Sequence, residues 1–114
     1  MVYFIERDYS SAQKYYLRSI QLDKYCITAR SNLGRISLLQ SDYKGALQYY
    51  QDNLDIAPDD EPSLLGLIQA YAGLKDFANI KKYYHMLMTH EKNHGALNNL
   101  KKFLATRGIP ETIF

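Results

Sequence analysis

An all-α solenoid of antiparallel helix pairs is the fold this 114-residue chain predicts, and two observations carry that reading. The first is an internal period of 34 residues, held without insertion or deletion. Asp8, Asp42 and Asp76 stand 34 apart, and each precedes an aromatic, Tyr9, Tyr43 or Phe77. Ala12, Ala46 and Ile80 follow in register, then the pairs Tyr15-Tyr16, Tyr49-Tyr50 and Tyr83-Tyr84, then Ile20, Leu54 and Met88, and then Lys24, Pro58 and Lys92. A fixed period in this range is the signature of a solenoid. The second observation is that apolar residues within each unit recur at helical spacing. Tyr43, Ala46, Leu47, Tyr50 and Leu54 fall at i, i+3, i+4, i+7 and i+11, one face of an α-helix.

Taken in chain order, the elements are helices near 2–7, 9–22, 27–39, 43–56, 61–74, 77–90 and 95–106. Val2 to Ile5 read as the second half of a helix. Asp8, Asp42 and Asp76 each offer a carboxylate that can cap the helix that follows. Ala29, Leu33, Ile36 and Leu39 give 27–39 its apolar stripe. Asp59-Asp60-Glu61-Pro62 announces the next helix, because proline tolerates a first turn and acids suit the positive end of the helix dipole. No linker or low-complexity segment divides the chain, so 1–114 is one domain. It comprises a partial repeat at 1–26, repeats at 27–60 and 61–94, a capping helix at 95–107 and a tail at 108–114.

Composition narrows the functions. Lysine and arginine number 14 against 12 acids, and a net +2 gives no electrostatic footprint for nucleic acid or an anionic membrane. No apolar stretch approaches the ~18 residues that span a bilayer, and the first residues lack the pattern of a signal peptide. A single cysteine, Cys26, excludes an internal disulfide and reads as a structural thiol between repeats. The six glycines are scattered, so there is no phosphate-cradling loop, and Lys81-Lys82 and Lys101-Lys102 are solvated pairs. Ten of the 11 tyrosines fall in repeat columns. The second of each Tyr-Tyr pair is expected to pack between helices, with its hydroxyl reaching a partner or the surface.

With these columns in place, the chain resembles the tetratricopeptide repeat, a helix–turn–helix unit of 34 residues. The copy at 27–60 carries Leu33-Gly34, the turn Ser41-Asp42-Tyr43, then Ala46, Tyr50 and the closing Pro58. Arg30 and Ser37 stand where the family often has tryptophan and tyrosine. The copy at 61–94 keeps Leu67, Tyr71, Asp76, Phe77 and Tyr84. Small residues mark close helix crossings in the family. Gly34, Ala46 and Asn53 fill those places in one copy and Ile68, Ile80 and Leu87 in the next, so the second pair is expected to spread wider.

The resemblance implies that first helices line a concave groove that receives a peptide or partner helix. Thr28, Ser31, Asn32, Arg35, Leu38 and Leu39 would face it from one helix. Leu65, Gly66, Gln69, Ala72 and Gly73 would face it from the next, and Asn99 and Phe103 from the last. The residues expected to contact a partner are Asn32, Arg35, Leu39, Leu65, Gln69 and Phe103. Asn32, Arg35 and Gln69 are the best polar contacts, suited to a peptide backbone or carboxylate. The lysine–asparagine clamp of chaperone-binding members is disfavoured, because Ser31 and Arg35 replace one such pair and Leu65-Gly66 offers no charge. The expected role is a non-catalytic scaffold or adaptor without cofactor or metal, binding protein rather than nucleic acid or membrane. Its uncapped N-terminal end is expected to continue into a longer array or to pair with a second copy of the chain.

One motif points elsewhere. His90-Glu91-Lys92-Asn93-His94 spells H-E-x-x-H, in which two histidines on one helical turn hold zinc and the glutamate activates a water. That alternative, a zinc-dependent hydrolase, has three things against it. The repeat register puts the motif over a helix end, a lysine sits inside it, and neither His85 nor Glu111 lies at a recognisable third-ligand spacing. Surface histidines at a helix C-terminus are the plainer reading.

Overall fold

The computed structural model describes residues 9–90 and 94–109. Among them are six α-helices and no strand: α1 (Tyr9–Leu22), α2 (Ile27–Leu39), α3 (Tyr43–Ile56), α4 (Glu61–Leu74), α5 (Phe77–His90) and α6 (His94–Thr106). The periodic reading located each to within a residue; the expected helix at 2–7 lies outside the described residues. From α1 to α5 consecutive helices pack against each other, and α4 also meets α2 and α6. This is a helical-repeat-like arrangement in which α2, α4 and α6 form one row. No described helix is long and apolar enough to cross a membrane.

The helix starts follow the acids. Asp42 accepts the Gly45 N–H at 3.1 Å, and Asp76 accepts the Asn79 N–H at 3.4 Å and its side-chain amide at 2.7 Å. Asp60 caps α4, accepting from the Ser63 N–H at 3.2 Å and the Ser63 hydroxyl at 2.6 Å. Each such cap contributes about 1 kcal/mol. Cys26 occupies the equivalent place before α2 and makes no side-chain cap bond. Asp8 lies outside the described residues.

The helix ends repeat a second device. Ser41 and Lys75, 34 apart, take left-handed backbone with φ 60° and 57°. After α4, the Lys75 N–H donates to Ala72 and the Asp76 N–H to Tyr71; after α2, the Ser41 N–H donates to Leu38 and the Asp42 N–H to Ser37. These paired bonds close the last turn and satisfy carbonyls the helix leaves open. A β-carbon at such a φ is strained by roughly 1–2 kcal/mol. Lys75→Gly and Ser41→Gly should therefore each stabilise by about 0.5–1 kcal/mol, after the glycine's extra freedom in the unfolded chain is subtracted. A rise in urea midpoint checks this, and a fall would show that the lysine or serine side chain is itself needed. Gly108, at φ 75°, makes the same turn after α6 and folds Ile109, 3% exposed, back onto the core. The segment expected to be tail thus carries a core residue at its second position.

The core follows the columns. Tyr16, Tyr50 and Tyr84, the second of each pair, are buried, whereas Tyr15 is 59% exposed. α4 is apolar around most of its circumference because it has neighbours on several sides; Leu64, Leu67 and Ile68 are fully buried, each worth about 1.5–3 kcal/mol. Ile80 and Leu87 join them, while Gly34, Ala46 and Asn53 are buried in the preceding pair.

Candidate functional site

Two glycines shape the floor of the row formed by α2, α4 and α6. The Tyr50 ring lies between α2 and α4. A β-carbon at Gly34 would fall 2.6 Å from the ring, and one at Gly66 would meet it more closely still. The Tyr43 ring covers Gly73 in the same manner. The ring is therefore clasped on two sides by bare backbone, and its hydroxyl donates to the Ser31 carbonyl at 3.4 Å.

Above this floor run three adjoining depressions. The first, about 220 Å³, is lined by Ser31, Asn32, Arg35, Tyr50, Pro62, Leu65, Gly66 and Gln69. The second, about 210 Å³, is lined by Arg35, Leu38, Leu39, Tyr43, Gln69, Phe103 and Arg107. The third, about 230 Å³, is lined by Leu65, Gln69, Asn99, Leu100 and Phe103. Gln69 borders all three, and shared walls of Arg35, Leu65 and Phe103 join them into one groove. Each depression is smaller than the ~300 Å³ at which small-molecule sites begin. Their chaining suits successive side chains of a polypeptide.

The repeat explains the lining. Ser31, Leu65 and Asn99 form one 34-residue column, Arg35, Gln69 and Phe103 a second, and Leu39, Gly73 and Arg107 a third. Columns four residues apart project from the same helix face, one turn or about 6 Å further along. Each helix of the row thus contributes equivalent positions to one surface.

All six residues expected to contact a partner (Asn32, Arg35, Leu39, Leu65, Gln69 and Phe103) lie on this groove. Asn32 spends one side-chain donor on the Thr28 carbonyl at 3.1 Å. Two wider expectations are corrected. Ala72 is 3% exposed and turned into the core, and Gly73 lies beneath Tyr43. Sequence reasoning missed Tyr43 and Arg107. Tyr43 belongs to the second-helix face, but Gly73 leaves it room to reach across the row. Arg107 follows the last helical residue, and its guanidinium carbon sits 5.0 Å from the Phe103 ring centre. The usable signal was Gly73, a glycine near the end of an otherwise apolar helix.

Burial governs the electrostatics beneath the groove. It pushes the Tyr50 hydroxyl up to about 12, with Arg35 partly opposing the shift. Tyr16 and Tyr71 are raised by the same cause, reinforced by the neighbouring Tyr15 and Tyr83 respectively. Tyr71 also stacks on Tyr83 at 5.7 Å and accepts a bond from Gln51 at 3.3 Å. A tyrosine raised in the fold holds its proton after the unfolded chain has lost it. Its contribution is therefore complete below the unfolded pKa near 10 and is lost as pH climbs towards 12. For Tyr50 the loss amounts to about 2–3 kcal/mol. Stability should fall between pH 10 and 12, and Tyr50→Phe should flatten that fall at a cost of at most about 1 kcal/mol near neutrality. Urea midpoints across this pH range test it; an equally steep decline in the variant would remove Tyr50 as a cause.

The motif at 90–94 lies outside the described residues except for the backbone at its ends, where α5 closes at His90 and α6 opens at His94. Cys26 is a half-buried free thiol. No family model matches the chain, and no curated protein matches its sequence. Fold and site therefore stand on the geometry: an all-α, helical-repeat-like chain with a groove along the row of α2, α4 and α6.

Proposed function

We propose that this chain is an α-solenoid of the tetratricopeptide-repeat type, serving as a non-catalytic scaffold or adaptor that holds a segment of another protein in the groove of α2, α4 and α6. The observation that carries this reading is the alignment of repeat columns. Equivalent positions of the three alternate helices face one continuous surface, while Tyr16, Tyr50 and Tyr84 of the other helices are buried. Repeat arrays use such surfaces for extended ligands because each unit adds an equivalent strip of wall. Gln69 supplies both a donor and an acceptor to all three depressions, which suits the N–H and C=O of a peptide backbone.

The test is an affinity capture with the wild type beside an Asn32→Ala/Arg35→Ala/Gln69→Ala variant, after circular dichroism has shown both to be folded. Partners held in the groove should be retained at least tenfold less by the variant, since three polar contacts worth roughly 0.5–1.5 kcal/mol each are removed. If every captured partner ignores the triple change, the groove is not the binding surface.

A further inference from the structure

The second depression combines two features that the first and third do not: an apolar wall and a cation at each flank. Leu39, Tyr43 and Phe103 supply the wall, with Leu39 56% exposed. Arg35 comes from α2 and Arg107 from the residue after α6, the two outer helices of the row, and both residues are exposed. None of the described residues lining the three depressions is acidic. The chain as a whole is nearly neutral at +2, so this is a local imbalance and not a general one. Charges separated by less than the ~8 Å Debye length act on a ligand even at physiological salt. An arginine fork also bonds a carboxylate bidentately, whereas a lysine or arginine of the ligand would meet only like charge. Spacing adds a register. Alternate residues of an extended peptide lie about 6.6–6.8 Å apart, close to the ~6 Å between groove columns.

On the reading that the groove holds peptide, we infer that its occupant is an extended acidic segment that places one large aliphatic or aromatic side chain between Arg35 and Arg107, with aspartate or glutamate beside it. The apolar side chain is desolvated against Leu39, Tyr43 and Phe103. The flanking carboxylates pair with the arginines, and Gln69 holds the backbone between the depressions. Specificity comes from repulsion as much as attraction, because a basic segment of the same shape is refused.

Selection from a phage-displayed library of random nonapeptides tests this, with enriched peptides resynthesised and mapped by amide chemical shifts on the labelled chain. The expected result is enrichment of a large apolar residue flanked by acids, with shifts at Gln69 and Phe103. Arg107→Glu, an exposed change, should weaken such peptides about tenfold in 50 mM salt and less in 500 mM. Peptides that shift Gln69 and Phe103 but are neutral or basic would overturn the acidic assignment and leave the groove intact. Peptides that map elsewhere, or no enrichment at all, would overturn both. Shifts at these residues that grow with protein concentration in the absence of peptide would make a second copy the occupant, and would overturn the inference as well.

Discussion

Gly66→Ala is expected to cost about 2 kcal/mol, although it replaces glycine by the best helix former in the middle of a helix. Propensity alone would favour the change by about 1 kcal/mol. Against this, the new β-carbon falls on the ring of Tyr50, a side chain only 5% exposed, and Gly34 backs that ring on its far side. The ring cannot retreat from one helix without striking the other. Overpacking of this kind costs about 1–3 kcal/mol, and more where no rotamer offers escape. The collision outweighs the propensity. Urea denaturation of Gly66→Ala, Tyr50→Leu and the double variant would isolate the term, since the alanine should be tolerated once the ring is gone. A higher midpoint for Gly66→Ala alone would mean that α2 and α4 part easily, and the clasp would not be what fixes their separation. The groove would feel such a parting at once, because Ser31, Gly66 and Tyr50 line its first depression.

Asn53→Ala should destabilise by about 2–3 kcal/mol, and Asn53→Leu by a comparable amount. The side chain is fully buried and joins three helices. Its amide donates to the Ile27 carbonyl at 3.3 Å, the Ser31 hydroxyl at 3.0 Å and the Ser63 hydroxyl at 3.2 Å, and Ser63 in turn donates to Asp60. Removing the donor leaves the buried Ser63 hydroxyl and the half-buried Ile27 and Ser31 oxygens without it, which costs more than the bonds contribute. Leucine is acceptable in this column one repeat later, where Leu87 is 1% exposed. There Leu65 stands in the place of Ser31, so no hydroxyl waits for a donor at that position. The same residue therefore succeeds or fails by its neighbours. Asn53→Leu combined with Ser31→Ala and Ser63→Ala should recover part of the loss. If Asn53→Leu alone matched the wild type in urea midpoint, the polar junction would be dispensable.

Much of this was legible in one sequence because the chain states its pattern three times. Period and apolar spacing located the six described helices, and the acids at 42, 60 and 76 marked three of their starts. The tyrosine columns separated core from surface, since a position buried by helical spacing in one unit is buried in the next for the same geometric reason. Asn32, Arg35, Leu39 and Gln69 were legible for the converse reason, as they fall outside the core columns of their helices, whereas Leu65 and Phe103 are half-buried against the core.

Other features depend on which residues meet across the stack. Sequence spacing places Gly34 and Gly66 on helices but not on the two sides of one tyrosine, and it sets Tyr43 on the core face without showing that Gly73 opens a path across the row. The joining of three depressions at Gln69, the arginines flanking the apolar wall and the return of Ile109 to the core are likewise products of helix juxtaposition. Periodicity is a property of the chain, and it determined helices and their apolar stripes. The shape and charge of the groove belong to contacts between residues one or two repeats apart, and only packing in three dimensions decided those.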